Sequence, residues 1–391
     1  MGEIVDALLV SPPAPVWGAQ IYLLNQIDGL HDRGINLSLG TTGDSPFADE
    51  WRERGLPLVE LGLHPHVGLR VDGSSKRPSI ASMVKMSAAV ADNARRLASV
   101  ARRYDMLYSF SLPTHLETAL AGRAARTPVA LDLVDLVRPG IGQRVLRTAA
   151  RLSTLTVANS TATAAVLGSV GPVRIIHPGI DLDRFHPGAP SSSLRAELAG
   201  DSRCRLVGVV GRLDEGKGIH VLVDAMARLD EEFAAARLVV VGDKGTDTTD
   251  YADQLRRRAH EVLGERVRFV GRRDDVPEIM RALDVLVVAA VAEPFGLTAL
   301  EAQASRTPVI GTDAGGLPEF VEDGVSGLLV PPLDADRLAR AIERMLGDET
   351  LRNRVVDEAE RRANPARGLE AQYDELSRMY RDVASRSVGS R

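Results

Sequence analysis

Short apolar runs alternate with amphipathic segments along almost the whole chain, and nothing else in the sequence restricts the fold as tightly. Residues 206–210, 238–241 and 285–288 carry no polar side chain at all. Strands covered on both faces read this way, whereas strands washed on one face alternate apolar with polar. The segments between them place apolar residues at helical spacing, as at Ile219, Leu222, Val223, Met226 and Leu229. Strand and helix in succession predict α/β layers built on parallel sheets.

In the first half the expected strands are 7–10, 35–39, 57–61, 105–110, 129–133, 154–158 and 173–176. Helices are expected over 19–33, 79–103, 115–126, 142–151 and 161–167, and 62–78 reads as a long loop. Around 176–193, His177-Pro178-Gly179 and His186-Pro187-Gly188-Ala189-Pro190 continue neither helix nor strand, which marks a hinge. A second set of strands follows at 206–210, 238–241, 267–270, 285–288, 308–310 and 327–330. Its helices fall at 219–229, 250–263, 276–282, 298–304, 318–321 and 336–346. A chain of 391 residues exceeds one ordinary core. The reading is two doubly wound domains, 1–177 and 178–364, facing across a cleft, with a last helix in 365–391 packing back onto the first.

Composition removes several function classes. Apolar content of 44% and charged content of 26% are those of a soluble globular chain. The 48 basic and 53 acidic residues are interspersed, so the net charge of −5 gives no nucleic-acid surface. One cysteine, Cys204, excludes an intrachain disulfide and a multi-thiolate metal site. No run reaches the roughly 18 apolar residues of a membrane span, and the first residues include acids but no basic leader. The expectation is a cytoplasmic protein without integral membrane contact.

The residues that carry chemistry cluster at strand ends, where ligands bind in open parallel sheets. After the run 285–288 come Glu293, a turn at Gly296, and a helix start carrying Glu301. Eight helical residues advance roughly 80° beyond two full turns, so both carboxylates can face one crevice. Gly211-Arg212-Leu213-Asp214-Glu215-Gly216-Lys217-Gly218 leaves another strand and opens a helix. Its glycines allow close backbone approach, and a helix N-terminus with two cations suits a diphosphate. It is neither a Walker loop nor a Gly-x-Gly-x-x-Gly fingerprint. Gly242-Asp243 and Gly315-Gly316 mark two further glycine corners that can supply amide donors. In the first half, Trp17-Gly18 joins the first strand to its helix, and His115, Asp132 and Asp135 lie near strand ends, placed to act on a hydroxyl. Each of these also reads as an ordinary turn or a satisfied structural polar residue.

Taken in order, these motifs resemble the family 4 glycosyltransferases. The residues that carry the resemblance are Gly211-Arg212-Leu213…Lys217-Gly218, Gly242-Asp243, Val267-Arg268-Phe269-Val270-Gly271, Glu293-Pro294-Phe295-Gly296-Leu297-Thr298-Ala299-Leu300-Glu301-Ala302 and Gly315-Gly316-Leu317-Pro318-Glu319. Val157-Ala158-Asn159-Ser160 and His177-Pro178-Gly179-Ile180-Asp181…Phe185 extend the likeness forward, while the first 150 or so residues match only loosely. The resemblance implies an α/β GT-B fold of two Rossmann-like domains and retaining transfer of a sugar from a nucleoside diphosphate sugar to an acceptor hydroxyl. It implies that Arg212 and Lys217 hold the diphosphate as it leaves and that Glu293 faces the donor sugar. Gly18, Gly211, Gly242, Phe295, Gly296, Leu297 and Thr298 would line the donor, and Glu301 would take the ribose hydroxyls. With both cations on the phosphates and no Asp-x-Asp motif, no metal and no separate cofactor is expected. One departure stands out: where many relatives carry His-Asp, this chain has Val134-Asp135, so Trp17, His115 and Asp135 are the acceptor or sugar candidates. Aromatic content of 4% and the lack of a basic amphipathic face lean toward a small soluble acceptor. A sugar-nucleotide hydrolase or epimerase of the same fold, and a binding protein without catalysis, are the alternatives.

Overall fold

The computed structural model describes residues 3–14, 16, 18–41, 44–64, 80–200, 204–245, 250–363 and 367–386. Its contacts divide the chain into two units, Met1–His177 with Leu369–Arg391, and Pro178–Gly368. Among the described residues no helix is long and apolar enough to cross a membrane.

The first unit holds β1 (Val5–Val10), β2 (Ile35–Thr41), β3 (Leu58–Glu60), β4 (Met106–Ser109), β5 (Val129–Leu133), β6 (Leu155–Ala158) and β7 (Val173–Ile175). They lie in the order β3-β2-β1-β4-β5-β6-β7, and each pair is parallel. The second unit holds β8 (Leu206–Val210), β9 (Arg237–Val241), β10 (Val267–Gly271), β11 (Val285–Val288), β12 (Val309–Thr312) and β13 (Leu328–Val330). Their order is β10-β9-β8-β11-β12-β13, again all parallel. Both sheets reverse direction of growth beside their first strand, between β1 and β4 and between β8 and β11. That reversal is the doubly wound pattern, and it opens a crevice at the strand carboxyl ends.

The apolar runs are central because both faces are covered. In the second sheet Val207, Val209, Leu238 and Val240 face one buried cluster, while Leu206, Val239, Val241 and Leu286 face the other. Period-2 side-chain alternation therefore feeds two cores from one strand.

The helix Leu369–Ala384 belongs to the first unit, although the whole second unit separates it from the rest of that unit in sequence, because its buried face completes that unit's core. Tyr373, Leu376, Met379, Tyr380 and Val383 form a helical stripe, most of it packed among Val5, Ala7, Leu30 and Tyr108. Tyr373 seats its ring at Gly29, where a Cβ would come within 2.1 Å of it. Arg33 adds ion pairs to Glu370 at 2.8 Å and Asp374 at 2.7 Å.

Three helices were not expected from the sequence. Pro46–Glu53 begins at Ser45, whose hydroxyl accepts from Ala48 N at 3.2 Å, with Pro46 in the first turn. Ser192–Ala199 begins inside the Pro/Gly/Ser stretch because Ser191 accepts from Leu194 N at 3.3 Å. Glu349–Ala363 is mostly charged and buries only a sparse stripe that includes Leu351, Val355 and Val356. Conversely, the single helix expected over 19–33 is two, Gly18–Leu24 and Ile27–His31. At the break the Asn25 carbonyl accepts the Tyr373 hydroxyl at 2.6 Å instead of an amide of its own helix. The loop expected at 62–78 and the start of the segment 365–391 lie largely outside the described residues.

Candidate active site

In the second unit, the loops leaving β8 and β11 meet at the point where the strand order reverses. The β8 loop turns at Asp214, whose carboxylate accepts from Lys217 N at 3.2 Å and caps a short 3₁₀ turn, Glu215–Lys217. Gly218 then starts the helix Ile219–Ala227. From this turn Lys217 Nζ donates to both oxygens of Glu293, at 3.0 and 2.8 Å. The pair joins residues 76 apart in sequence. Arg212 is held at 3.0 Å by Asp214 and is 53% exposed, so neither expected diphosphate cation stands alone.

The glycines have a second use here beyond admitting a ligand. A Cβ at Gly218 would lie 1.9 Å from the Ala289 carbonyl oxygen, and one at Gly242 would lie 1.9 Å from that of Gly211. Gly315 bridges to Glu293 in parallel fashion, and Gly316 N donates to the Glu293 carbonyl at 2.8 Å. Val291 N reaches Gly216 O at 2.9 Å, and Leu213 N reaches Asp243 O at 3.0 Å. The four strand-end corners are thus stitched to one another through main chain, leaving room only for glycine at the crossings.

Gly296, at φ +105°, turns the chain into the helix Leu297–Ala304, whose N-terminus no side chain caps. Leu297 and Thr298 form its first turn, with amides available to an anion. Phe295 packs inward against Phe320, with ring centroids 4.9 Å apart. Glu301 is half-buried on the face opposite Ala299, Leu300 and Ala302. Loss of solvent pushes its carboxyl up to about 7, opposed only by the Arg184 charge.

The first-unit candidates fare differently. Gly18 opens its helix as expected, and Trp17 lies outside the described residues. Asp135 is exposed on the loop after β5, beside the half-buried Val134. His115 is a correction: it sits inside the helix Leu112–Ala125, 1% exposed, with Nδ1 bonded to Ser109 Oγ at 2.8 Å. Burial lowers its pKa to about 3, which keeps the ring neutral inside the core.

Asp132 is the buried acid that the sequence reading undervalued. Its carboxyl is pushed up to about 7 by burial, against a hydrogen bond from the Tyr108 hydroxyl and with Asp135 adding to the rise. Tyr22 and Tyr380 also face it, and burial raises both of their hydroxyls. A folded-state carboxyl titrating above its unfolded value binds more protons when folded, so the contribution of Asp132 to stability is greatest below about pH 4 and declines until about pH 7, while that of buried neutral His115 rises up to about pH 6.5. The slope from this group is at most about 1.4 kcal/mol per pH unit. In thermal melts between pH 4.5 and 7.5 the wild-type midpoint should fall relative to that of Asp132→Asn as the pH rises. Parallel profiles would remove Asp132 as the cause.

Sequence and fold are both shared with known proteins. A family model described as Glycosyltransferase Family 4 matches residues 16–184, and one described as Glycosyl transferases group 1 matches 192–362. The chain belongs to the family 4 glycosyltransferases. Among curated relatives of this chain, the D-inositol 3-phosphate glycosyltransferase of Mycobacterium sp. (strain JLS) is 38% identical over 192 residues, 48% of this chain and 43% of that one. The protein of the same name from Corynebacterium jeikeium is 38% identical over 188 residues, 46% and 45% of the two chains. The chain thus spans less than half the length of these relatives. Over the whole fold, Anabaena HepE, solved in complex with UDP-glucose, superposes with a TM-score of 0.80 at 25% identity, covering 97% of this chain and 100% of that one. A glycosyltransferase from Rickettsia africae superposes at 0.78 with 18% identity, covering 99% and 100%, which speaks to the fold alone. The fold is GT-B, two Rossmann-like parallel-sheet domains.

Two participants in the second-unit site were missed in the sequence. Asp214 carried a readable signal, an N-cap aspartate three residues before Lys217. Arg184 carried none, because its proximity to Glu301 is a tertiary fact.

Proposed function

We propose that this glycosyltransferase moves a sugar, with retention of anomeric configuration, from a UDP-sugar to a hydroxyl of a small polar acceptor. The observation that carries the reading is the convergence of Arg212, Lys217, Glu293 and the uncapped Leu297–Ala304 N-terminus on the crevice where the second sheet reverses. A pyrophosphate needs fixed cations and amide dipoles, and this crevice offers both. HepE was solved with UDP-glucose, which favours uridine, and the relatives named for D-inositol 3-phosphate make inositol phosphates the first acceptors to try.

In the proposed reaction the bond between the anomeric carbon and the diphosphate oxygen breaks first, leaving an oxocarbenium-like sugar. The electron pair passes to the diphosphate, where Lys217 and Arg212 meet the growing charge better than they meet the ground state. The acceptor oxygen then bonds to the same face, and its proton goes to the departing phosphate oxygen. Glu293 faces the donor sugar, and Glu301 accepts from ribose hydroxyls. The cations make a metal unnecessary in this scheme.

The test is product identification. Purified protein is incubated with UDP-glucose, UDP-N-acetylglucosamine or UDP-galactose and a panel of inositol phosphates and simple polyols, with and without EDTA. An α-linked glycoside formed together with UDP, undiminished by EDTA, is expected. Free sugar, or an isomerised UDP-sugar with no glycoside under any pairing, would replace transfer by hydrolysis or epimerisation.

A further inference from the structure

The lysine assigned to the diphosphate already has a counter-ion within the chain itself. Lys217 Nζ bridges both oxygens of Glu293, and the two side chains are only 28% and 14% exposed. The arrangement differs from that of Arg212, whose partner Asp214 lies on the same loop and whose side chain is half in water. The Glu293 main chain is pinned, by its bridge to Gly315 and by Gly316 N on its carbonyl. The lysine is the mobile member, a compact charge on a flexible four-carbon stem.

We propose that Glu293 determines specificity as a competing counter-ion: it withholds Lys217 from a bare nucleoside diphosphate and releases it to a nucleotide whose sugar hydroxyls satisfy the carboxylate instead. This rests on the donor reading above. Two anions compete for one ammonium. A bare diphosphate draws Lys217 away but gives Glu293 nothing, leaving a half-buried carboxylate unpaired beside a new negative charge. A sugar nucleotide brings hydroxyl donors to that carboxylate, and charge-assisted hydrogen bonds replace the ion pair. An interaction present only in the free state weakens every ligand that must break it, and weakens least the ligand that compensates. Once the sugar has been transferred, Glu293 takes Lys217 back, which speeds departure of the diphosphate product, a step that often limits turnover.

The experiment compares full-length wild type, Glu293→Gln, Lys217→Met and the double variant by calorimetric titration with UDP and with UDP-glucose, each variant first checked by thermal melting. Glu293→Gln should bind UDP about fivefold more tightly than wild type, in line with the ~1 kcal/mol upper value for a partly exposed ion pair. Its affinity for UDP-glucose should not improve, so the preference for the sugar nucleotide narrows or vanishes. In the Lys217→Met background the Glu293→Gln change should help UDP less than it does beside the lysine, because only the repulsion between carboxylate and diphosphate remains to be relieved and no ammonium is left to compete for. Glu293→Asp, charged but shorter, should fall between wild type and Gln, and it serves if the Gln variant folds poorly. Equal or weaker UDP binding by a folded Glu293→Gln overturns the inference while leaving the donor reading in place. A folded wild type that binds neither UDP nor UDP-glucose overturns the uridine donor reading, and the inference falls with it.

Discussion

Turnover should fall by about 10²–10³-fold in Lys217→Ala, the range measured when one preorganised donor to a developing anion is removed. The loss should appear mainly in kcat. Lys217 is engaged by Glu293 at 2.8 Å, so its interaction with a ground-state diphosphate is offset by the pair it abandons. As the anomeric bond breaks, charge on the diphosphate grows, while the Glu293 contact has already been given up. The lysine therefore contributes more to the transition state than to binding, and an effect confined to KM would contradict that division. Lys217→Arg should restore only a small part of the activity, because a planar fork does not reproduce a compact ammonium at the end of a flexible stem. Steady-state kinetics on the best donor–acceptor pair reads both variants against wild type, with thermal melts to confirm folding. A Lys217→Ala enzyme within about fivefold of wild type would remove the lysine from the chemistry.

Much of this architecture was legible before any coordinates because strands buried on both faces announce themselves. Residues 285–288 carry no polar side chain, and the structure places β11 over Val285–Val288 with every residue buried. The contact division at Pro178 falls in a stretch where Pro and Gly interrupt both periodicities. What was not legible depends on contacts distant in sequence. Glu349–Ala363 hides a helix because its apolar stripe is thin, and packing against a neighbouring helix rather than local pattern sustains it. His115 sits next to a strand end by number, but the helix Leu112–Ala125 turns it into the interior, and number alone carries no direction. The two cations were correctly seen as neighbours of a glycine turn. Their carboxylate partners were not, and those partners decide how the cations behave. The glycines themselves were read as openings for a ligand, whereas at Gly218, Gly242 and Gly315 they first admit another stretch of this chain's own backbone.

That second use of glycine makes a sharp prediction at two positions with nearly the same φ. Gly315 has φ +67° and Gly324 has φ +70°, so alanine at either meets the left-handed penalty, roughly 1–2 kcal/mol. Around Gly324 nothing lies within 4 Å of a new Cβ. At Gly315 the Cβ would fall 2.0 Å from the Glu293 carbonyl oxygen, with Glu293 N at 2.8 Å and C at 2.9 Å. These are main-chain atoms with no rotamer to escape into, so the β11 and β12 loops must part. Gly315→Ala should therefore cost about 3 kcal/mol or more, and Gly324→Ala about 1 kcal/mol. For a unit near 200 residues, that is a midpoint lowered by roughly 6–12 °C against roughly 2–4 °C. The functional contrast should be larger still. Separating the loops carries Glu293 away from Lys217, so Gly315→Ala should lose nearly all turnover even below its melting temperature, whereas Gly324→Ala should retain wild-type kinetics. Melting curves and turnover at 20 °C measure both halves. Equal midpoints and equal rates in the two variants would mean that the corner yields easily, and that Glu293 is not held in place by the stitched main chain.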